Sequence, residues 1–245
     1  MSNVLVTGGS RGVGLGICEA FLEKGHNVVF TCRSTDNLTR ALERLSVVSN
    51  KNIVRGIICD SGVYLDVQNA VRDTLNILDN IDILVNNAGV RKYGSIYDVS
   101  IEDWIDAVNT NINGYFYFCK LFIPYLEKSE NAWIFNIGST AAHAPFAGGV
   151  SYNTTKAAVH AFSSSIELDV RKKGIRVCTV SPGNVFNKDY PCPQEDTWMM
   201  NPIDIGHCII SLLNYDRNIT PSIIEVKPTN SPEHPEKGIR ALRYL

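Results

Sequence analysis

Short β-branched runs alternate with longer stretches of helical periodicity along almost the whole chain, and that alternation restricts the fold more than any other feature. Strands are expected at 3–7, 27–32, 52–59, 81–86, 131–138, 175–180 and 222–226. Helices are expected near 12–24, 36–48, 64–78, 101–127, 151–173 and 202–214. The first helix shows its buried face in Val13, Ile17, Ala20 and Phe21, at i, i+4, i+7 and i+8, and Lys24-Gly25 closes it. The run Ile81-Asp82-Ile83-Leu84-Val85 is apolar nearly throughout, as a strand must be when helices cover both faces of its sheet. Right-handed crossovers between such strands give an α/β fold with a doubly wound parallel sheet. A length of 245 residues suits one such domain, with an irregular tail over 228–245 that contains Pro228, Pro232 and Pro235.

Composition removes several function classes. A net charge of −2 gives no reason to expect nucleic acid, which calls for a basic face. The longest apolar stretch, 115–126, is interrupted by Lys120 and is too short to span a bilayer. Met1-Ser2-Asn3 leads straight into Val4-Leu5-Val6, so no secretory leader is expected. The seven cysteines (Cys18, Cys32, Cys59, Cys119, Cys178, Cys192, Cys208) are dispersed without a Cys-x-x-Cys pair, and most fall in apolar segments that favour buried free thiols. That pattern suits a reducing cytoplasm, and with no histidine cluster it gives no reason to expect a metal.

The turn Thr7-Gly8-Gly9-Ser10-Arg11-Gly12-Val13-Gly14 follows the first strand and opens the first helix. Glycine lets a backbone approach a pyrophosphate closely, and a helix N-terminus offers N–H donors and positive potential, so a dinucleotide is expected here. An NAD enzyme usually ends its second strand in a carboxylate that holds the ribose 2′-hydroxyl. This chain has Thr31-Cys32-Arg33-Ser34-Thr35 there, with Arg11 inside the glycine turn. Two guanidiniums suit a 2′-phosphate, so NADP(H) is the expected cofactor, although Asp36 lies close enough in sequence to compete.

Tyr152 and Lys156 stand one helical turn apart, thirteen residues after Ser139. A phenol has a pKa near 10. A unit positive charge about 4 Å away, at an effective dielectric near 20, is worth about 4 kcal/mol, or roughly three pKa units before desolvation. The phenol is then a general acid or base for neutral pH. Ser139 ends the strand Trp133-Ile134-Phe135-Asn136-Ile137-Gly138, at the sheet edge where open α/β folds bind ligands.

These residues carry a resemblance to the short-chain dehydrogenase/reductase family over residues 2–226. The matching motifs are Thr7-Gly8-x-x-x-Gly12-x-Gly14, Asp60, Asn86-Asn87-Ala88-Gly89, Asn111 with Gly114, Ser139, Tyr152-x-x-x-Lys156 and Pro182-Gly183. The resemblance implies a Rossmann-type sheet of about seven strands. It implies Tyr152 as proton donor to a carbonyl, Ser139 steadying the carbonyl oxygen, and Lys156 on the nicotinamide ribose, lowering the tyrosine pKa. Asn111 would support a water chain to Lys156. Gly8, Ser10, Arg11, Gly12, Val13 and Gly14 would hold the phosphates, with Arg33 and Ser34 at the adenosine ribose and Asp60 at the adenine. Asn87, Ala88 and Gly89 would lie along the cofactor, and Pro182, Gly183, Val185 and Asn187 would meet the nicotinamide.

Three stretches depart from the family pattern. Asn187 stands where a threonine is common. The 184–201 segment is a short substrate lid carrying Tyr190, Pro191, Cys192, Pro193, Trp198, Met199 and Met200, residues that suit either an apolar substrate or simple packing. Strand seven reads Ile223-Ile224-Glu225-Val226-Lys227-Pro228 where acyl-carrier-protein reductases of the family end in Asp-Gly-Gly. Arg91-Lys92 can meet an anionic substrate or face solvent, and His143 is a candidate for the pocket wall. Arg171-Lys172-Lys173 suits either an acidic carrier protein or the negative end of a helix, and the latter is the simpler account. Helix 151–173 is apolar over much of its circumference (Ala157, Ala158, Val159, Ala161, Phe162, Ile166, Leu168) and so needs a second partner; the resemblance, in which this helix and helix 101–127 commonly pair across subunits, implies a homotetramer or dimer. The expected activity is NADPH-dependent reduction of a keto group, a 3-oxoacyl or related substrate, free or carrier-bound. A sugar or secondary-alcohol dehydrogenase and a non-catalytic NADP(H) sensor are the alternatives.

Overall fold

The central strands sort their alternate residues onto opposite faces, and both sets are largely apolar. In β1 (Asn3–Val6), Val4 and Val6 enter one core and Leu5 the other. The structure, a computed structural model, describes residues 1–187 and 198–230. The strands that follow are β2 (Asn27–Cys32), β3 (Val54–Ile58), β4 (Ile83–Asn86), β5 (Trp133–Ile137), β6 (Arg176–Pro182) and β7 (Ile223–Val226). They form one seven-stranded sheet in the order β3-β2-β1-β4-β5-β6-β7, parallel throughout. The fold is therefore the single-domain, doubly wound α/β sheet expected from the sequence.

Helices α1 (Gly12–Glu23), α2 (Thr35–Val48) and α7 (Pro202–Leu212) close one core through Ile17, Phe21, Leu45 and Ile205. Helices α3 (Tyr64–Leu78), α5 (Gly114–Leu126) and α6 (Val150–Val170) close the other through Val67, Phe118, Phe122 and Val170. Each large apolar side chain so buried stabilises the fold by roughly 1.5–3 kcal/mol relative to exposure. Ser34 caps α2 by accepting from the Asn37 N–H, and Ser100 caps α4 (Ile101–Val108) by accepting from Asp103 N–H. Among the described residues no helix is long and apolar enough to cross a membrane.

The expected single helix over 101–127 is not continuous. A π-helical turn, Asn109–Asn113, separates α4 from α5. The apolar period runs through it, so pattern alone does not reveal it; the inward pull on Asn111 does, as described below. The sheet order reverses between β1 and β4, and the strand ends there open the crevice that holds the site.

Candidate functional site

The glycine turn and the Asn86-Asn87-Ala88-Gly89 loop are built as one piece. Thr7 is buried, and its Oγ1 accepts from the backbone N–H groups of Asn87 (2.9 Å) and Ala88 (3.0 Å). Asn87 Nδ2 donates back to the carbonyls of Thr7 (2.9 Å) and Gly8 (3.1 Å). Gly8 has φ +64°, and a Cβ there would stand 2.9 Å from Ala88 Cα. A Cβ on Gly14 would lie 2.3 Å from the Gly8 carbonyl oxygen and 2.4 Å from Asn87 Nδ2. Only glycine fits either place. α1 begins at Gly12 without a side-chain cap, so its first amides and its dipole serve an anion in the cleft.

A cleft of about 310 Å³ runs from this turn to α6. Of the residues singled out in the sequence, its wall contains Gly8, Ser10, Arg11, Gly12, Val13, Gly14, Arg33, Ser34, Asn87, Ala88, Gly89, Tyr152, Lys156, Pro182, Gly183, Val185 and Asn187. Asp60, Asn111 and Ser139 are not part of that wall, although their neighbours Cys59, Ser61, Thr110 and Gly138 line it. Asp60 accepts from the Gly62 N–H at 2.9 Å and faces Arg33 Nη1 at 3.8 Å. Asp36 is exposed and outside the wall, where Asn37 is present instead. The charged groups lining the cleft are Arg11, Arg33, Arg91 and Lys156, with no carboxylate among the described residues. Of the Arg91-Lys92 pair singled out in the sequence, the wall takes Arg91. Asn37 had no motif to mark it; its signal was position alone, beyond the carboxyl end of β2.

At the other end of the cleft, α6 brings Tyr152 and Lys156 to the same wall. Lys156 is 5% exposed; its Nζ donates to the Ile137 carbonyl at 2.8 Å and lies 5.9 Å from the centre of the Tyr152 ring. Burial, and secondarily the Arg91 guanidinium, pull the Lys156 pKa down to about 7. The full unit charge assumed from the sequence is therefore not guaranteed at neutral pH, because desolvation works against the ammonium itself. Ser139 is buried and accepts from the Ala141 N–H at 3.2 Å, capping the short 3-10 turn Thr140–Ala142. Asn111 sits in the π turn, fully buried, and its Nδ2 donates to the Val90 carbonyl (3.0 Å) and Thr155 Oγ1 (3.0 Å). Its Oδ1 accepts from the Val90 N–H at 2.8 Å. It thus ties the β4 loop to the residue preceding Lys156.

Other expectations resolve differently. His143 is absent from the cleft wall; its Nε2 pairs with Glu225 Oε1 at 2.7 Å on the β7 edge. Lys92 Nζ is bound by Asp103 (2.8 Å) and Asp106 (3.2 Å) on α4, which separates its role from that of Arg91. Lys173 pairs with Glu127 at 3.9 Å, at the end of α6. Within the segment expected to be a lid, Met200 packs on the core and its carbonyl accepts from the Phe186 N–H at 2.9 Å. Tyr190, Pro191, Cys192 and Pro193, and the tail from 231 onward, lie outside the described residues.

Comparison with known proteins converges on one family. A family model described as short chain dehydrogenase matches residues 2–188. The NADP-dependent 3-hydroxy acid dehydrogenase YdfG of Salmonella typhimurium is 30% identical over 244 residues, covering 92% of this chain and 94% of the relative. The 3-oxoacyl-[acyl-carrier-protein] reductase FabG of Chlamydia pneumoniae is 33% identical over 181 residues, covering 74% and 72%. Among solved structures, a short chain dehydrogenase from Burkholderia cenocepacia in complex with NADP superimposes with a TM-score of 0.83 at 25% identity, covering 93% of this chain and 96% of that one. With the glycine cradle and the Tyr152–Lys156 pair in one cleft of that same fold, the chain belongs to the short-chain dehydrogenase family of oxidoreductases.

Proposed function

We propose that the protein is an NADP(H)-dependent reductase of a keto group placed at the third carbon of an acid or acyl substrate. The observation that carries this is the cleft itself: a cradle only glycine can form, continuous with a wall holding Tyr152 and Lys156, and lined by cations without a carboxylate. The cradle and the α1 N-terminus suit a pyrophosphate, and Arg11 and Arg33 suit the 2′-phosphate that distinguishes NADP(H). Two of the relatives are named for a 3-hydroxy acid and a 3-oxoacyl group, which supports the position of the reacting carbon.

When bound, the dinucleotide supplies the hydride. The protein supplies orientation and a proton. Tyr152 donates its hydroxyl proton to the carbonyl oxygen, and the Ser139 hydroxyl hydrogen-bonds that oxygen as negative charge develops on it. Lys156 holds the nicotinamide ribose, and whatever charge it keeps favours proton loss from the neighbouring phenol. Asn111 acts by holding Val90 and Thr155 in place, and supports the solvent path to Lys156.

The outer faces of α4, α5 and α6 expose Ile105, Phe116 and Leu168, which suits pairing with another copy of the chain as a dimer or tetramer. A single monomeric species in analytical ultracentrifugation at micromolar concentration would exclude that pairing. The activity is tested by NADPH oxidation over a panel of 3-oxo acids, their esters and thioesters, and simple ketones. Reduction of 3-oxo compounds above simple ketones is expected. Tight NADPH binding with every carbonyl inert would instead leave a sensor.

A further inference from the structure

Arg91 follows the Asn-Asn-Ala-Gly loop by one residue and lines the catalytic end of the cleft beside Val90, Tyr152 and Lys156. The segment that carries it is held from both sides. Before it, Val90 is bound through both backbone groups to the Asn111 amide. After it, the Lys92 carbonyl accepts from Ser151 Oγ, and Lys92 Nζ bridges Asp103 and Asp106. Tyr93 then packs its ring edge-on against Tyr152, with centroids 5.8 Å apart, and against Phe146 at 5.7 Å. A connector with no task beyond linking β4 to α4 needs none of these ties. Their effect is to fix the Arg91 backbone relative to Tyr152.

Charge is divided along the cleft. Arg11 and Arg33 belong to the glycine-turn and β2 end, and Lys156 is assigned to the nicotinamide ribose. Arg91 is the remaining cation in the wall among the described residues, and the proposed proton transfer does not use it. Its nearness to the catalytic centre is also felt as a field that disfavours the Lys156 ammonium. An anion seated between the two would relieve that repulsion.

We propose that Arg91 anchors the carboxylate of the substrate, so that the enzyme acts on short oxo acids with a free carboxylate rather than on neutral ketones or thioesters. This rests on the keto reduction proposed above. A planar guanidinium binds a carboxylate through two parallel N–H···O bonds, a match that neither an ester nor a thioester reproduces. Tyr93 and Phe146 pack edge-on and tilted against the Tyr152 ring, which fixes the phenol relative to the Arg91 segment.

Acetoacetate and methyl acetoacetate carry the same ketone and differ in that charge. Arg91→Gln is expected to lower the ratio of kcat/KM for acetoacetate to that for methyl acetoacetate by about 10–100-fold, a change that an altered Lys156 charge or weaker NADPH binding would not produce, since both act on the two substrates alike. Equal losses on the two substrates, or a loss traced to NADPH binding, overturn the anchor. Calorimetric binding of 3-hydroxybutyrate to the NADP-loaded protein reads the same contact without turnover. Binding that Arg91→Gln abolishes supports the anchor, and binding that is absent or unaltered by the substitution overturns it. If 3-hydroxybutyrate binds through Arg91 while neither ketone is reduced, the anchor stands and the reductase assignment falls.

Discussion

At the adenosine end of the cleft the cations Arg11 and Arg33 are exposed, and the binding surface is shaped by backbone that Thr7 and Asn87 hold in register. At the catalytic end Lys156 and Asn111 are buried, and their polar atoms are bound within the protein. The first end depends on what is absent, a Cβ. The second depends on what is buried, an amine and an amide. Shape failures should dominate at one end and electrostatic failures at the other.

The largest effect is expected at the catalytic end. Tyr152→Phe should lower kcat by about 1000-fold while leaving NADPH affinity within about three-fold, since only the proton is removed. Turnover close to wild type would place the proton donor elsewhere. At the cradle, Gly14→Ala forces a Cβ against the Gly8 carbonyl oxygen. It should weaken NADPH binding about 100-fold and lower stability by about 1–3 kcal/mol, as fluorescence titration and urea denaturation would show. An unaffected cradle would break the contrast drawn here.

A smaller, selective effect belongs to Arg33. Arg33→Asp should raise the KM for NADPH by about 10–100-fold and alter that for NADH far less. Equal changes would remove the 2′-phosphate assignment.

The smallest effect has a sign set by burial. Because the folded-state pKa of Lys156 is about 7, below its ordinary 10.5, the unfolded chain binds more protons between those values, and stability rises with pH across that window. Lys156→Met should therefore stabilise the protein by roughly 1 kcal/mol at and below about pH 7, with the gain shrinking toward pH 10.5. The Ile137 carbonyl keeps a partner in Tyr115 Oη at 3.1 Å. Urea denaturation across that range, without cofactor, measures it. A gain independent of pH would mean that the buried charge is not what destabilises the fold.

Much of the fold and of the site is legible in the amino-acid sequence. Strand positions and the phosphate turn could be read because period-two apolar runs and obligatory glycines are local signals. The Tyr152–Lys156 pair could be read because i, i+4 neighbours share a helix face. The π turn at Asn109–Asn113 could not, since its cause is the set of bonds that Asn111 makes to Val90 and Thr155, residues distant in the chain. The separation of Arg91 from Lys92 was equally hidden: adjacent cations look alike until folding sets Arg91 in the cleft wall and Lys92 against Asp103 and Asp106 of α4. The same holds for His143, whose partner Glu225 lies on a strand 82 residues further on.

Alternating runs of apolar residues were sufficient to specify the parallel sheet, and three glycines were sufficient to locate the cradle, because hydrophobic period and missing side chains act within a few residues. Which cations face the cleft, how strongly the medium resists the charge on Lys156, and which polar groups are not part of the wall were decided only when the chain folded. Dielectric surroundings and charge pairing are properties of neighbours in space.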